Sequence, residues 1–85
     1  MEIRTHLQGI VDGVNAGTMS SDLITLQVTS MIQAGYVTKI YFAFGGDLGA
    51  FGAFMGKMTE LYLVGQVSPQ GAKNKAQEAI ALLPE

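Results

Sequence analysis

The sequence contains no cysteine and only one histidine, His6. The lack of cysteine excludes a disulfide framework, a thiolate metal site and a thiol nucleophile. A lone histidine cannot form a histidine-based metal site, and we expect His6 to lie on a helix face rather than to act as a general base. We therefore predict no catalytic residue, no metal site and no cofactor.

Charge is also scarce, because charged residues make up 14% of the chain and the net charge is −2. The five basic residues form no run with interleaved aromatic residues, which argues against a nucleic-acid partner. The seven carboxylates are dispersed, so they do not indicate an enzyme. A small chain with so little charge is typical of a subunit that buries part of its surface against copies of itself.

Long apolar runs are missing too. The longest uncharged stretch, residues 23–38, has about 16 residues and is rich in threonine, serine and glutamine, so we do not expect it to span a membrane. No basic segment precedes an apolar core at the start, so no secretory signal is visible and a cytoplasmic protein is expected. At 85 residues, the chain is expected to form a single domain, 1–85, with a modest core.

The segment from Tyr36 to Val64 organises the predicted fold. Residues 39–44 (KIYFAF) are aromatic and β-branched and precede a double glycine, a pattern that predicts a short buried strand. Asp47 follows as the predicted N-cap of a helix. Residues 60–64 (ELYLV) predict another strand. Strand, helix and strand in succession predict a right-handed βαβ crossover with two parallel strands.

The helix after Asp47 carries three glycines on one face, Gly49, Gly52 and Gly56, and each costs roughly 1 kcal/mol relative to alanine. We expect close approach to a sheet or a neighbouring helix to offset that cost. Phe51 and Phe54 cannot both face the same way as the methionines of this helix. We therefore predict that the glycines and the two phenylalanines contribute to packing or to an interface.

The rest of the chain predicts two terminal helices and one further strand. An apolar stripe predicts a helix over residues 2–16, and Ser68-Pro69 predicts the start of a helix that ends before Pro84. Between them, residues 23–29 (LITLQVT) alternate with period two, which predicts a strand that pairs with the next one as a hairpin.

The predicted fold is therefore α+β, in the order α-β-β-α-β-α, with a small three-stranded sheet and a βαβ crossover. The alternative is an all-α helical bundle, in which residues 47–64 form one continuous helix.

The glycine corner resembles the shell domains of bacterial microcompartments, in which a hairpin and a strand lead to a corner that reads like GDVGAV and then to a helix. The matching residues are 46–51 (GDLGAF), and the similarity covers roughly residues 22–84. This resemblance implies a flat cyclic oligomer, usually a hexamer, that tiles into a shell. Gln33, Ala34 and Gly35 would then line a central pore. The family's first strand and lysine-bearing hairpin are absent here, and Phe51 replaces a smaller branched residue.

The leading functional hypothesis is a non-enzymatic structural subunit that self-assembles into a shell-, ring- or filament-like homo-oligomer. The first alternative is a small monomeric or dimeric regulatory domain that binds a ligand or a protein. The second alternative is a small membrane-inserted helical protein.

Overall fold

The computed structural model describes the backbone of residues 2–84 and the side chains of residues 3–84. Within this range the chain forms five helices, and they are α1 (Glu2–Asn15), α2 (Ser21–Gln33), α3 (Tyr36–Ala43), α4 (Leu48–Gly65) and α5 (Pro69–Leu82). No strand occurs in residues 2–84, so the predicted α+β fold with its sheet and βαβ crossover is wrong. The observed architecture is the alternative, one small all-α domain.

Residues 23–29 belong to α2 rather than to a strand. Ile24 and Val28 are four residues apart, so they share a face in a helix as well as in a strand. The helix continues that face with Met31, and all three side chains are buried. Ser20 starts the helix, since its hydroxyl accepts the Leu23 N–H at 3.3 Å. The Ile24–Val28 pair is therefore compatible with both structures, whereas Leu26, which a strand would have placed on the same face, is 61% exposed in the helix.

Residues 39–44 lie in α3 and its C-terminal cap, which corrects the strand predicted here. Ile40 is buried and Phe44 is half-buried, again four residues apart. A strand would have placed Phe42 on the same face as these two, whereas it is 72% exposed. Aromatic and β-branched residues favour a strand only where other strands supply a pleated surface to pack against. Gly45 and Gly46, with φ of 62° and 85°, separate α3 from α4.

Residues 60–64 form the last full turn of α4, so the third predicted strand is wrong as well. Phe54, Met58 and Leu61 follow one another at spacings of four and three residues, and all three are buried. The chain therefore continues as one helix from Leu48 to Gly65.

The two predicted terminal helices are confirmed as α1 and α5. Ser68 caps α5, since its hydroxyl accepts the Gly71 N–H at 3.0 Å, and Pro69 is the first helical residue. A proline fits this position because its missing N–H would have had no partner inside the helix.

The core lies where α5 packs against both α1 and α4. Three alanines of α5 are fully buried, and they are Ala72, Ala76 and Ala79. Their small side chains let the neighbouring helices approach closely, and Leu7 and Ile10 of α1 and Phe54 of α4 fill the space around them. α2 packs mainly on α4, and α3 contacts α2 and α4 at the edge of the molecule.

Candidate functional site

The predicted pore residues lie in the connection between α2 and α3. Gln33 is the last residue of α2, Ala34 is its C-cap, and Gly35 precedes α3 with φ of 78°. The Ala34 N–H donates to the carbonyl of Ser30 at 2.9 Å, which closes the last turn of α2. All three residues are exposed, but they join two helices and not two strands. The hairpin on which the pore assignment depended does not exist in residues 2–84.

Asp47 is the N-cap residue of α4. Its carboxylate accepts the Ala50 N–H at 3.0 Å, and its negative charge suits the positive end of the helix dipole. This bond satisfies one of the free N–H groups at the start of α4 and confirms Asp47 as the predicted helix cap.

Gly49, Gly52 and Gly56 lie on the exposed side of α4. A Cβ atom added at Gly52 or Gly56 would meet no atom within 4 Å beyond the local helix backbone, and one at Gly49 would meet only Oδ1 of Asp47 at 3.4 Å. No neighbouring helix among residues 2–84 therefore packs on these glycines. The helix-propensity cost that they impose is not offset by packing within the described chain.

The two predicted phenylalanines occupy different environments. Phe54 is fully buried and its ring centroid lies 5.7 Å from that of Phe44. Phe51 is half-buried and contacts Tyr41 of α3 edge to face, with centroids 5.4 Å apart. Phe54 is therefore a core residue, whereas Phe51 joins α3 to α4 at the border of the exposed face.

A shallow apolar groove runs between α4 and the α2–α3 pair. Ile32 and Val37 line one wall, and Met55, Met58 and Leu63 line the other. Sequence reasoning missed this groove because it depends on α3 being a helix that docks beside α4. The signal that could have revealed it is the spacing of Met55, Met58 and Leu63 along one continuous helix.

Thr59 and Leu63, which line the groove, lie three and seven residues after Gly56 and therefore on the same side of α4 as the glycines. We call the uncharged residues of the groove and of this side of α4 the apolar face. Its members are Ile32, Val37, Tyr41, Leu48, Gly49, Gly52, Gly56, Thr59 and Leu63. None of these residues is charged. Leu48 is 66% exposed, Leu63 is 62% exposed and Ile32 is 52% exposed. Large apolar side chains grouped on an uncharged surface are characteristic of a contact site.

The opposite edge of α4 carries a cluster of four charged side chains that bridges to α5. Lys57 lies 3.3 Å from Glu60 and 3.2 Å from Glu78, and Lys75 lies 3.3 Å from Glu60 and 3.5 Å from Glu78. Positive and negative groups alternate around this ring, so the cluster has no net charge. Its members are three residues apart on each helix, a spacing that brings side chains together.

These contacts shift the acid–base equilibria of the cluster. Hydrogen bonds from Lys75 and then Lys57 lower the pKa of Glu60, and the hydrogen bond from Lys57 lowers the pKa of Glu78. The pKa of Lys57 is raised by its hydrogen bonds to Glu78 and Glu60. All these shifts favour the charged forms, so the cluster stays ionised at neutral pH.

The one histidine joins α1 to α3. His6 Nε2 lies 3.2 Å from the hydroxyl oxygen of Tyr36, and the two rings are 5.5 Å apart. The ammonium group of Lys39 lies 4.8 Å from the centre of the Tyr36 ring. The contact between His6 and Tyr36 links α1 to the first turn of α3. Among the described residues, no group of three or more histidine, aspartate or glutamate side chains could hold a metal ion.

Within the described part of the chain, every helix is too short or too polar to cross a membrane.

Comparisons of this chain with protein-family models, with curated proteins and with solved structures found no match. Function is therefore inferred from the surface and the core of this chain alone.

Proposed function

We propose that the protein is a non-enzymatic structural subunit that self-associates through its apolar face into a homo-oligomer. The observation that supports this most strongly is the position of Ile32, Leu48 and Leu63. More than half of each residue is exposed, and none of the residues that form the apolar face is charged. The glycines between them contact no other helix among residues 2–84.

The magnitude of the hydrophobic effect supports association at moderate concentration. Fully burying a large aliphatic side chain contributes roughly 1.5–3 kcal/mol. Burying the exposed parts of the three side chains would contribute on the order of 3–5 kcal/mol per copy. A pair of copies would gain about twice that free energy. Association costs roughly 4–15 kcal/mol in lost freedom. Gain and cost are of similar size, so we expect an oligomer whose population depends on concentration.

The shell geometry implied by the microcompartment resemblance does not fit this fold. That geometry requires a sheet, and residues 2–84 contain none. We propose a compact oligomer of all-α subunits instead of a shell. The cytoplasmic location expected from the sequence stays a prediction.

Light scattering of the purified protein over a concentration series tests the proposal. We expect the average mass to rise above that of one chain as the concentration reaches the high micromolar range. A constant monomer mass over the whole series would contradict self-association. A monomer whose melting temperature rises on addition of a small apolar ligand would instead be a binding domain.

A matched pair of variants assigns the effect to the apolar face. Leu63 and Leu26 are 62% and 61% exposed, but Leu26 lies on the outer side of α2, away from its buried residues. Leu63→Gln should shift the mass towards the monomer, whereas Leu26→Gln should leave the oligomer unchanged. Equal effects of the two changes would show that association depends on general surface hydrophobicity and not on this face.

A further inference from the structure

The area of the apolar face fits a second copy of the chain as its occupant. Its five large side chains, at the exposures of 36% to 66% in the structure, offer on the order of 400–500 Å² of apolar surface if each presents roughly 150–200 Å² when fully exposed. Homodimer interfaces are roughly 65% apolar, so the whole contact would cover about 600–800 Å² per copy. That is close to the roughly 800 Å² per partner of a stable, specific interface.

We propose, given the self-association proposed above, that two copies pair about a two-fold axis with their α4 helices antiparallel and crossing at Gly56. Leu48 and Leu63 lie at nearly equal distances on either side of Gly56, roughly 12 Å and 10 Å along the helix. An antiparallel crossing at Gly56 brings Leu48 of each copy beside Leu63 of the other. A single surface that fits itself in this way is the requirement for an isologous dimer.

The glycines allow the two backbones to come close at the crossing. A residue with a Cβ atom would hold the helices apart there, whereas Gly52 and Gly56 present only backbone to the partner. The loss of helix propensity at these positions is then offset by contacts across the axis, which the separate chain cannot make.

The two edges of α4 determine the direction of pairing. The groove wall formed by α2 and α3 lies along one edge, and the cluster of Lys57, Glu60, Lys75 and Glu78 lies along the other. An antiparallel two-fold axis places groove wall against groove wall and cluster against cluster. A parallel axis would place each apolar wall against the charged cluster of the other copy, which would desolvate the paired ionised groups and give them no new hydrogen-bond partners. Antiparallel pairing avoids that cost, and the neutral clusters do not repel each other.

Crosslinking of two cysteine variants tests the direction. The natural chain has no cysteine, so Leu48→Cys and Leu63→Cys each introduce a single reactive thiol. The two proteins, one of them isotope-labelled, are mixed at a concentration where light scattering detects oligomers and are treated with a short bismaleimide. We expect the mixed 48–63 product to exceed each like-with-like product by more than tenfold, against the twofold excess of random collision. A majority of 48–48 and 63–63 products would overturn antiparallel pairing.

A second pair of variants tests the crossing point. Gly56 and Gly9 are both exposed helical glycines around which an added Cβ would find open space. We expect Gly56→Leu to weaken association at least tenfold and Gly9→Leu to leave it unchanged, with helical circular dichroism confirming that both variants fold. If the natural chain is an oligomer and Gly56→Leu associates as well, the pairing is wrong and self-association stands. If the natural chain is a monomer, both proposals fail.

Discussion

The molecule has two regions that bury their apolar side chains to different degrees. Where α1, α4 and α5 meet, Leu7, Phe54 and Ala76 are fully buried, and no large apolar residue of α1 is exposed among those described. On the α2–α3 side, Ile32 and Phe42 remain more than half exposed. The alanine surface of α5 allows close packing on two sides, whereas α2 and α3 cover only one edge of α4.

This difference indicates a division of roles within one small domain. The α1–α4–α5 region supplies most of the stability of the fold, since the buried apolar area is concentrated there. The α2–α3 region packs along one edge of α4 and leaves its glycine-bearing side exposed. The predictions below test this contrast from the largest expected effect to the smallest.

The largest difference in stability is expected between alanine variants of two phenylalanines, one from each region. Phe54→Ala should lower the free energy of unfolding by about 3–5 kcal/mol, because it leaves a cavity in the core. Phe42→Ala should change it by no more than about 0.5 kcal/mol. Urea denaturation of the monomer measures both. Similar losses for the two variants would remove the distinction between the regions.

A second pair of variants tests the close packing on α5. Ala76 is fully buried, whereas Ala81 is exposed on the same helix. Ala76→Leu should destabilise the protein by about 1–3 kcal/mol through overpacking, and Ala81→Leu should have little effect. Thermal unfolding compares them directly. A neutral Ala76→Leu would show that α5 does not approach its neighbours closely.

Glycines at two positions of α4 should respond to alanine with opposite signs. Gly52→Ala should stabilise the monomer by up to about 1 kcal/mol, because alanine favours the helix and the site is open. At Gly65, an added Cβ would lie 2.7 Å from Cγ2 of Ile24, so Gly65→Ala should be destabilising. Urea denaturation at concentrations where the chain is monomeric checks both. A stabilising Gly65→Ala would contradict the contact between α2 and α4.

The smallest effect is expected from the charged cluster. Since the pKa values of Glu60 and Glu78 are lowered, their contribution is fully present above the ordinary value of 4.5 and is lost as the pH falls through the lowered values. The raised pKa of Lys57 adds a contribution that is present below 10.5 and is lost as the pH rises through the raised value. Both glutamates are exposed and Lys57 is partly exposed, so salt should weaken the effect.

Unfolding midpoints from pH 3 to 6 at low and high salt measure the acid limb. Glu78→Gln should flatten the pH dependence relative to the natural chain. An identical profile in the variant would show that the cluster makes no contribution to stability.

The sequence was sufficient to predict α1 and α5, because local residues mark these two helices. α5 begins with Ser68 and Pro69, which satisfy or remove the first N–H groups, and α1 shows a single apolar stripe. Both signals are local, so they do not depend on the rest of the fold. α2 also has a local start signal in Ser20, but its interior was ambiguous because Ile24 and Val28 share a face in either structure. In α3, the exposed Phe42 and the buried Ile40 fit a helix and not the predicted strand face.

The same reasoning explains which parts of the candidate site were predictable. The cost of three glycines in one helix is visible in the sequence, and it led to the prediction that Gly49, Gly52 and Gly56 contribute to packing or to an interface. No helix of residues 2–84 packs on them, and the interface stays a prediction. Ile32 and Leu63 could not be grouped with them, because that requires α3 to dock beside α4. The pairing of Lys57 with Glu60 was also hidden as long as residues 60–64 were predicted to be a strand.

Solvent exposure of the leucine methyl groups tests most directly whether the apolar face is covered by a second copy. Leu63 and Leu26 are almost equally exposed in the single chain. A soluble nitroxide should therefore attenuate their methyl NMR signals equally at low protein concentration. At high concentration, we expect Leu63 to become protected while Leu26 stays attenuated. Equal attenuation of both leucines at every concentration would contradict a covered apolar face.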